Sequence, residues 1–246
     1  PRPHVLHLEL NRPGARNAVD DALAHALGNC LRAFDADPEL RVAVLSGRGA
    51  GFSAGLDLKA FLRGETGMDE ERGFAGIAGQ NPEKPVIAAV EGFALAGGFE
   101  IALACDLVVA ASDARLGIPE VQRGLVADGG ALLHLPRRIP YQFAMELALL
   151  GEPMLGERAA LIGAVARAVP PGEAVTEALG MADRIARNAP LAVRATKRIL
   201  AAGRDWALAE AWGAQDAVAA PVWGSEDAEE GARAFAEKRE PRYRGR

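Results

Sequence analysis

The sequence predicts an α/β protein in which a spiral of strands and helices, reaching to about residue 190, precedes a helical part that ends at residue 246. Short, continuous apolar runs between turn residues alternate with helical patterns in the first half, which is typical of strands buried on both faces. Beyond Pro140, apolar residues recur at intervals of three and four almost to the end, which is typical of helices. We therefore expect two regions, an α/β core over residues 1–190 and a C-terminal helical region over residues 191–246.

The elements of the first part follow one another in order. Residues 5–10, VLHLEL, alternate leucine with histidine and glutamate and predict a half-buried strand. An amphipathic helix begins at about Asp20 and has one apolar face, formed by Leu23, Leu27, Cys30, Leu31 and Phe34. The predicted buried strands span residues 42–45, 86–90 and 107–111, and the predicted later helices include residues 141–150, 173–186, 190–200 and 226–238.

Composition excludes several classes of partner. Of the 246 residues, 50% are hydrophobic and 25% are charged, which is typical of a globular domain. The net charge of −5 argues against a nucleic-acid partner, and no apolar run approaches the length of a membrane span, so we expect neither nucleic acid nor membrane to be bound. Cys30 and Cys105 form neither a disulfide framework nor a metal-binding spacing, which favours a cytoplasmic protein without a metal.

Residues 51–55 match the G-x-S-x-G pattern of serine hydrolases, in which Ser53 would be the nucleophile. That motif requires the serine between a strand and a helix, but the preceding strand ends at Ser46 and three glycines intervene. The one histidine downstream in the required order, His134, lies in an apolar helical stretch where a packed histidine is expected. The context therefore argues against a nucleophile.

A second glycine-rich loop, residues 91–98, follows a buried strand and opens the helix that contains FEIALAC. Amides at a helix N-terminus are unpaired and carry the positive end of the helix dipole. Two such loops facing one another would form an oxyanion hole. Gly97 and Gly98 are equally consistent with tight packing alone.

Two glutamates are candidates for acid–base chemistry. Residues 99–105, FEIALAC, form no polar helix face, so Glu100 is expected to be buried with its helix and to have a raised pKa. Glu120, in GIPE, would by itself be interpreted as a surface or capping residue.

Taken together, residues 91–125, EGFALAGGFEIALACDLVVAASDARLGIPEVQRGL, resemble the signature region of the enoyl-CoA hydratase/isomerase (crotonase) superfamily. FSAGLDLK at residues 52–59 resembles its other oxyanion loop, and the resemblance extends from NRPGARNAV at residues 11–19 to AFAEKREP at residues 234–241. Within the superfamily the chain is most similar to enoyl-CoA hydratases and crotonobetainyl-CoA hydratase-like members. The resemblance implies a spiral of ββα units whose C-terminal helices form a homotrimer, or a hexamer made of two trimers.

The resemblance also implies a function and a set of site residues. The reaction would be the reversible syn addition of water to a 2-enoyl-CoA thioester, with coenzyme A as part of the substrate and no cofactor. Catalysis would use Glu100 and Glu120, with the backbone N–H groups of Leu56 and Gly97 as the oxyanion hole. The residues expected to contact coenzyme A are Arg16, Ala54, Asp57, Lys59, Phe235 and Lys238.

Two departures from the family pattern keep alternatives open. Leu56 stands where many members have alanine, and its side chain could narrow the site. Residues 124–130, GLVADGG, are one residue shorter than the usual loop, and they place Asp128 where dienoyl-CoA isomerases have a catalytic aspartate. Asp128 would then act with Glu120 in an isomerase, although capping of the helix that follows is favoured. A catalytically inactive acyl-CoA-binding protein is the third hypothesis. The resemblance also implies that residues 61–80 border the acyl pocket. Their composition is that of a mobile segment.

Overall fold

A computed structural model describes residues 2–246. Its main sheet is parallel throughout, with strand order β1-β2-β5-β7-β10, and a second sheet has the order β6-β8-β9. A short antiparallel hairpin, β3–β4, stands apart from both. The strands are β1 Val5–Leu10, β2 Val42–Gly47, β3 Met68–Asp69, β4 Gly73–Phe74, β5 Val86–Val90, β6 Phe93–Leu95, β7 Leu107–Ala111, β8 Arg115–Gly117, β9 Met154–Leu155 and β10 Arg167–Val169.

The α-helices lie outside the sheets and dominate the second half of the chain. A 3₁₀ helix at Pro119–Arg123 connects β8 to the helical half. The helices are α1 Asp21–Ala36, α2 Leu58–Phe61, α3 Gly97–Ala104, α4 Ala131–Arg138, α5 Tyr141–Leu150, α6 Gly156–Ile162, α7 Ala174–Ala186, α8 Pro190–Ala202, α9 Leu208–Trp223 and α10 Glu226–Glu237.

The chain advances as a spiral, because successive units contribute one strand to each sheet. β5 enters the main sheet, β6 enters the second sheet, and α3 follows; β7 and β8 repeat this path with the 3₁₀ helix after them. The predicted spiral of ββα units is therefore confirmed. No helix within residues 2–246 is long and apolar enough to cross a bilayer.

Two apolar cores explain why the main-sheet strands are apolar on both faces. On one face, side chains such as Val44 and Ile87 pack against four alanines of α7 spaced four residues apart. On the other face, Leu45 and Ala88 join the larger core that α1 and α3 also enter. The predicted strands buried on both faces are confirmed. The α7 alanines are Ala174, Ala178, Ala182 and Ala186.

Helix α1 begins where the sequence indicates, because the side chain of Asp20 accepts a hydrogen bond from the Leu23 N–H at 2.9 Å and caps the helix. One residue of its predicted apolar face is misplaced: Cys30 is exposed, whereas Leu31 and Phe34 are buried. Cysteine is compatible with either environment, so periodicity alone did not decide its side of the helix.

The segment at residues 61–80 is anchored to α1. The guanidinium of Arg32 donates to both carboxylate oxygens of Asp69, at 2.9 and 3.0 Å, and Arg72 pairs with Asp35 at 2.9 Å. Asp69 is buried, and the hydrogen bonds from Arg32 hold the pKa of its carboxyl well below the usual range. The acidic residues of the segment engage cations on α1 and on the segment itself, so ion pairs hold a segment whose composition is typical of a mobile one.

The contact between α1 and the hairpin predicts the effect of adding one methyl group. A Cβ at Gly28 would lie 2.6 Å from Oδ2 of Asp69 and 2.8 Å from its Cγ. Asp69 is short and fixed by its hydrogen bonds, so Gly28→Ala should destabilise the protein by about 1–3 kcal/mol.

Gly180→Ala is the matched control, because Gly180 also lies within a helix and a Cβ there would meet no atom within 4 Å. That change should stabilise by about 0.5–1 kcal/mol, through the lower conformational entropy of the unfolded chain. Thermal unfolding of the two variants measures the difference. Equal Tm values would contradict the tight contact.

Candidate active site

The loop at residues 52–56 is joined through its backbone to β6, the strand that leads into α3. The N–H of Phe52 donates to the carbonyl of Phe93 at 2.9 Å, and the N–H of Leu95 donates to the carbonyl of Ser53 at 3.0 Å. A Cβ at Gly98 would lie only 2.1 Å from that Ser53 oxygen. Glycine at position 98 therefore allows the loop to lie directly against the N-terminus of α3.

Two backbone amides are left unpaired at this junction. Gly97 is the first residue of α3, so its N–H has no acceptor within the helix. The neighbours of Leu56 bond to Val19, through the Gly55 carbonyl and the Asp57 N–H, but the Leu56 N–H does not. Within residues 2–246, neither the Leu56 nor the Gly97 N–H donates to a protein acceptor.

These amides belong to adjoining segments. Gly55 has a φ of +87°, and a Cβ there would lie 2.6 Å from the nitrogen of Gly97. The left-handed turn at Gly55 therefore places Leu56 beside the α3 N-terminus, where two unpaired donors can serve one anionic oxygen.

Ser53 has a structural role in this turn. Its hydroxyl donates to the carbonyl of Asn17 at 2.8 Å and accepts the N–H of Gly55 at 3.1 Å. The side chain is completely buried, and no histidine is among its partners in the described chain. The hydrolase interpretation is excluded, as the position of the motif after β2 indicates.

Glu100 lies on the first turn of α3 and is 4% exposed. Its Oε1 accepts the N–H of Ala131, at the start of α4, at 3.1 Å. Burial, with smaller contributions from the negative charges of Glu120 and Asp128, raises the pKa of Glu100 to about 7, against the effect of the Ala131 and Gly129 amides. The expected burial of this carboxyl is confirmed.

Glu120 is on the 3₁₀ helix Pro119–Arg123 and is 8% exposed. Its Oε2 is buried and accepts no hydrogen bond from the described residues. Burial raises the pKa of Glu120, Arg123 opposes this effect, and the charge of Asp128 adds to it. The charge of Glu120 acts on Glu100, so the two carboxyls belong to one electrostatic site despite their separation in sequence.

Asp128 does not cap the helix that follows it, so the favoured capping interpretation is wrong. The N-cap of α4 is Gly130, no side chain bonds there, and the first amide of the helix is bound by Glu100 instead. The shortened loop leaves Asp128 exposed, and its charge raises the pKa of both glutamates.

Four of the residues expected to contact coenzyme A lie in the loop at 52–59 or next to it. The Ala54 N–H donates to the carbonyl of Arg16 at 3.0 Å. Asp57 caps α2 by accepting the Lys59 N–H at 3.0 Å. The side chains of Arg16 and Lys59 are exposed cations.

The other two expected contacts, Phe235 and Lys238, lie on α10 and at its end. Both are exposed, and no hydrogen bond or ion pair within residues 2–246 joins them to the loop at 52–59. A single chain therefore brings together four of the six residues.

One residue at the site was not anticipated from the sequence. The ring of Phe74 lies against Gly97 and Gly129, beside the carboxyl of Glu100. The only signal was an aromatic residue within GFAG, in a segment whose composition suggests a loop. Within residues 2–246, no group of three or more histidine, cysteine, aspartate or glutamate side chains is placed to hold a metal ion.

The raised pKa of Glu100 makes stability depend on pH. A carboxyl whose pKa is higher in the folded protein contributes fully below its ordinary value of 4.5, and this contribution is lost as pH rises through about 7. Glu100→Gln stays neutral and keeps an acceptor for the Ala131 N–H. We therefore expect the variant to gain stability relative to the wild type over that interval, on the order of 1.4 kcal/mol per unit of pKa shift.

Calorimetric Tm values at a series of pH values measure this effect. The matched control is Glu146→Gln, on the exposed surface of α5, whose curve should run parallel to that of the wild type. If the curve of Tm against pH for Glu100→Gln also ran parallel to that of the wild type, the pKa of Glu100 would not be raised.

Comparison with known proteins agrees with this geometry. The family model described as enoyl-CoA hydratase/isomerase matches residues 2–246. Carnitinyl-CoA dehydratase from Proteus mirabilis is 41% identical over 254 residues, which cover 100% of this chain and 97% of that protein.

Solved structures give the same result. An enoyl-CoA hydratase from Mycobacterium marinum has a TM-score of 0.97 and 51% identity, covering 100% of this chain and 97% of that one. A carnitinyl-CoA hydratase from Mycobacterium avium has a TM-score of 0.77 and 43% identity over the same shares. The chain belongs to the enoyl-CoA hydratase/isomerase family, as the resemblance in its glycine-rich loops and buried glutamate indicates.

Proposed function

We propose that the protein is an acyl-CoA hydro-lyase that adds water reversibly to a 2-enoyl-CoA thioester. The observation that carries this proposal is the presence, in one site, of two unpaired backbone amides and two buried carboxyls with raised pKa values. The names of the relatives, which include enoyl-CoA hydratase and carnitinyl-CoA dehydratase, support the same class of reaction.

The amides act on the thioester carbonyl. Attack of water at C3 moves negative charge onto the carbonyl oxygen, which accepts hydrogen bonds from the N–H groups of Leu56 and Gly97. A donor placed in this way contributes about 3 kcal/mol to stabilisation of the transition state. The Gly97 donor also carries the positive end of the α3 dipole.

Glu100 and Glu120 hold the water and move its protons. With one carboxyl ionised and the other protonated, the ionised group accepts a proton from the water as the oxygen bonds to C3. The protonated group delivers its proton to C2. The pair then holds one proton as before, and both groups act from the same side, which gives syn addition. A pKa near 7 for Glu100 allows such a half-protonated pair at neutral pH.

The other expected contacts are proposed as the coenzyme A site. Arg16 and Lys59 are exposed cations beside the loop of Ala54 and Asp57, where they can meet phosphate groups. Phe235 and Lys238 are proposed for the adenine and phosphate ends. We propose that no cofactor is needed, because the two carboxyls and two amides supply the proton transfer and charge stabilisation.

The proposed reaction predicts a loss of hydratase activity in two variants. Glu100→Gln and Glu120→Gln should each lower kcat for crotonyl-CoA by about 10²- to 10⁴-fold, because each loses a proton-transferring group. The loss of absorbance at the enoyl-thioester band measures hydration. The exposed control Glu146→Gln should leave kcat unchanged. Full activity in either glutamine variant would refute the two-carboxyl mechanism.

The same assay separates the alternatives. A double-bond isomerase using Glu120 with Asp128 would convert 3-enoyl- or 3,5-dienoyl-CoA without a change of mass, whereas hydration adds a water. The proximity of the Asp128 charge to both glutamates supports this alternative. A protein that only binds acyl-CoA would give heat on calorimetric titration with no turnover. Assays with crotonobetainyl-CoA and with simple 2-enoyl-CoAs distinguish the substrates suggested by the names of the relatives.

We also propose that the protein assembles as a homotrimer or a hexamer and works in the cytoplasm, where its free Cys30 would stay reduced. Helix α9 exposes a stripe of large apolar side chains, which a second copy can cover. The exposed fractions are 85% for Leu208, 72% for Trp212 and 82% for Trp223.

The proposed assembly predicts that a charge on this stripe separates the subunits. Trp212→Glu should shift the mass in solution from that of a trimer or hexamer to that of a monomer, because burying a carboxylate against apolar side chains is unfavourable. Light scattering after size exclusion measures the mass. Glu210→Ala, on the opposite side of α9, should leave it unchanged. A monomeric wild type would refute the proposal.

A further inference from the structure

Phe74 forms a wall of the active site. A Cβ at Gly97 would lie 2.5 Å from both Cε1 and Cζ of the Phe74 ring, so the ring packs directly on the residue that supplies an oxyanion amide. A Cβ at Gly129 would lie 2.6 Å from Oε2 of Glu100 and 3.2 Å from Cδ1 of Phe74. The ring and the carboxyl therefore border the same small space.

The other edge of the ring meets Leu56. A Cβ at Gly67 would lie 3.2 Å from Cδ1 of Leu56 and 3.3 Å from Cε2 of Phe74. The side chain of Leu56 therefore stands next to the ring, although only its backbone is proposed to bind the thioester. Two apolar side chains close the side of the site that lies beside the reacting carbons.

Phe74 is held in this position by its own segment. The hairpin β3–β4 is fixed to α1 by Asp69 with Arg32 and by Arg72 with Asp35. The Thr66 and Gly67 N–H groups donate to Oδ1 of Asp21 at 3.0 and 2.8 Å. A ring tied to the fold in this way resists displacement by a long acyl chain.

The backbone around Phe74 also restricts it. Gly73, Ala75 and Gly76 all have positive φ values, of 73°, 54° and 72°, so the chain turns sharply on both sides of the ring. Ala75 is fully buried in this left-handed conformation, which alanine rarely adopts. Such a turn persists only where the surrounding contacts determine it.

We propose that Phe74, together with the side chain of Leu56, determines substrate specificity by disfavouring long acyl groups. This inference rests on the proposed function, because the acyl chain is placed by the amides and carboxyls of that site. Because the ring packs on Gly97 beside the carboxyl of Glu100, it leaves less room for a long acyl chain than for a short one. Each methylene that a pocket rejects or accepts changes selectivity by about 10-fold or more.

The test compares crotonyl-CoA with 2-decenoyl-CoA in the wild type and in Phe74→Ala. The wild type should have the higher kcat/KM for crotonyl-CoA, and Phe74→Ala should raise the ratio of decenoyl to crotonyl kcat/KM by about 10-fold or more. Phe74→Leu should raise it less, and Leu56→Ala, which keeps the backbone amide, should raise it independently. Phe143→Leu is the matched control, since this half-buried phenylalanine lies outside the site, and its ratio should equal that of the wild type.

Calorimetric titration with butyryl-CoA and decanoyl-CoA gives a second readout that does not require turnover. Phe74→Ala should strengthen binding of decanoyl-CoA relative to butyryl-CoA. If the wild type hydrates no enoyl-CoA but this shift in affinity is seen, the proposed reaction fails and the role of Phe74 stands. Equal kcat/KM values of the wild type for crotonyl-CoA and 2-decenoyl-CoA would overturn the proposal. So would a Phe74→Ala variant that has a wild-type Tm and unchanged long-to-short ratios of both kcat/KM and binding affinity.

Discussion

The close backbone contact between the loop at 52–56 and the N-terminus of α3 is the constraint on which the site depends. Gly98 lets the carbonyl of Ser53 approach the helix, and Gly55 turns the chain so that Leu56 follows beside Gly97. Ser53, with Asn17 as its partner, fixes the turn from within. With these small residues the loop lies against the helix and both amides stay unpaired, since a Cβ at either glycine would force the loop from the helix.

Keeping two carboxyls in this enclosed space has a cost, which the raised pKa values of Glu100 and Glu120 express. Part of this cost is offset for Glu100, because its carboxyl accepts a hydrogen bond from the N–H of Ala131, the first residue of α4. Within residues 2–246, Glu120 has no such partner at its Oε2. A carboxylate oxygen that no protein group satisfies remains available to a water molecule or a substrate, so this lack of compensation suits the proposed reaction.

The sequence was sufficient for features that arise from local patterns. The buried strands and the burial of Glu100 both follow from residues close together in the chain. The sequence was insufficient where a distant residue competes for the same role. Asp128 has the preferences of a helix cap, but Glu100, far away in sequence, takes the amide it would have bound.

The segment at 61–80 shows the same limitation. Its glycines and carboxylates have the composition of a mobile loop, but two of its charged side chains are paired with Arg32 and Asp35, which lie on α1. No local pattern could place Phe74, because its position depends on these long-range ion pairs and on close contacts with two glycines of other loops. Those glycines, Gly97 and Gly129, are recognisable in sequence as turn residues, but not as the surface on which a ring packs.

Two helix N-termini lie at the site, and each presents a backbone amide to a different oxygen. In the proposed reaction, the N-terminus of α3 presents the Gly97 amide to the oxygen on which charge develops. The N-terminus of α4 presents the Ala131 amide to the carboxyl of Glu100. If α4 bound its own side-chain cap, Glu100 would lose this partner and its pKa would rise further, away from the range in which it can exchange protons at neutral pH. The absence, among the described residues, of a capping side chain at Gly130 is therefore part of how the fold sets the pKa of Glu100.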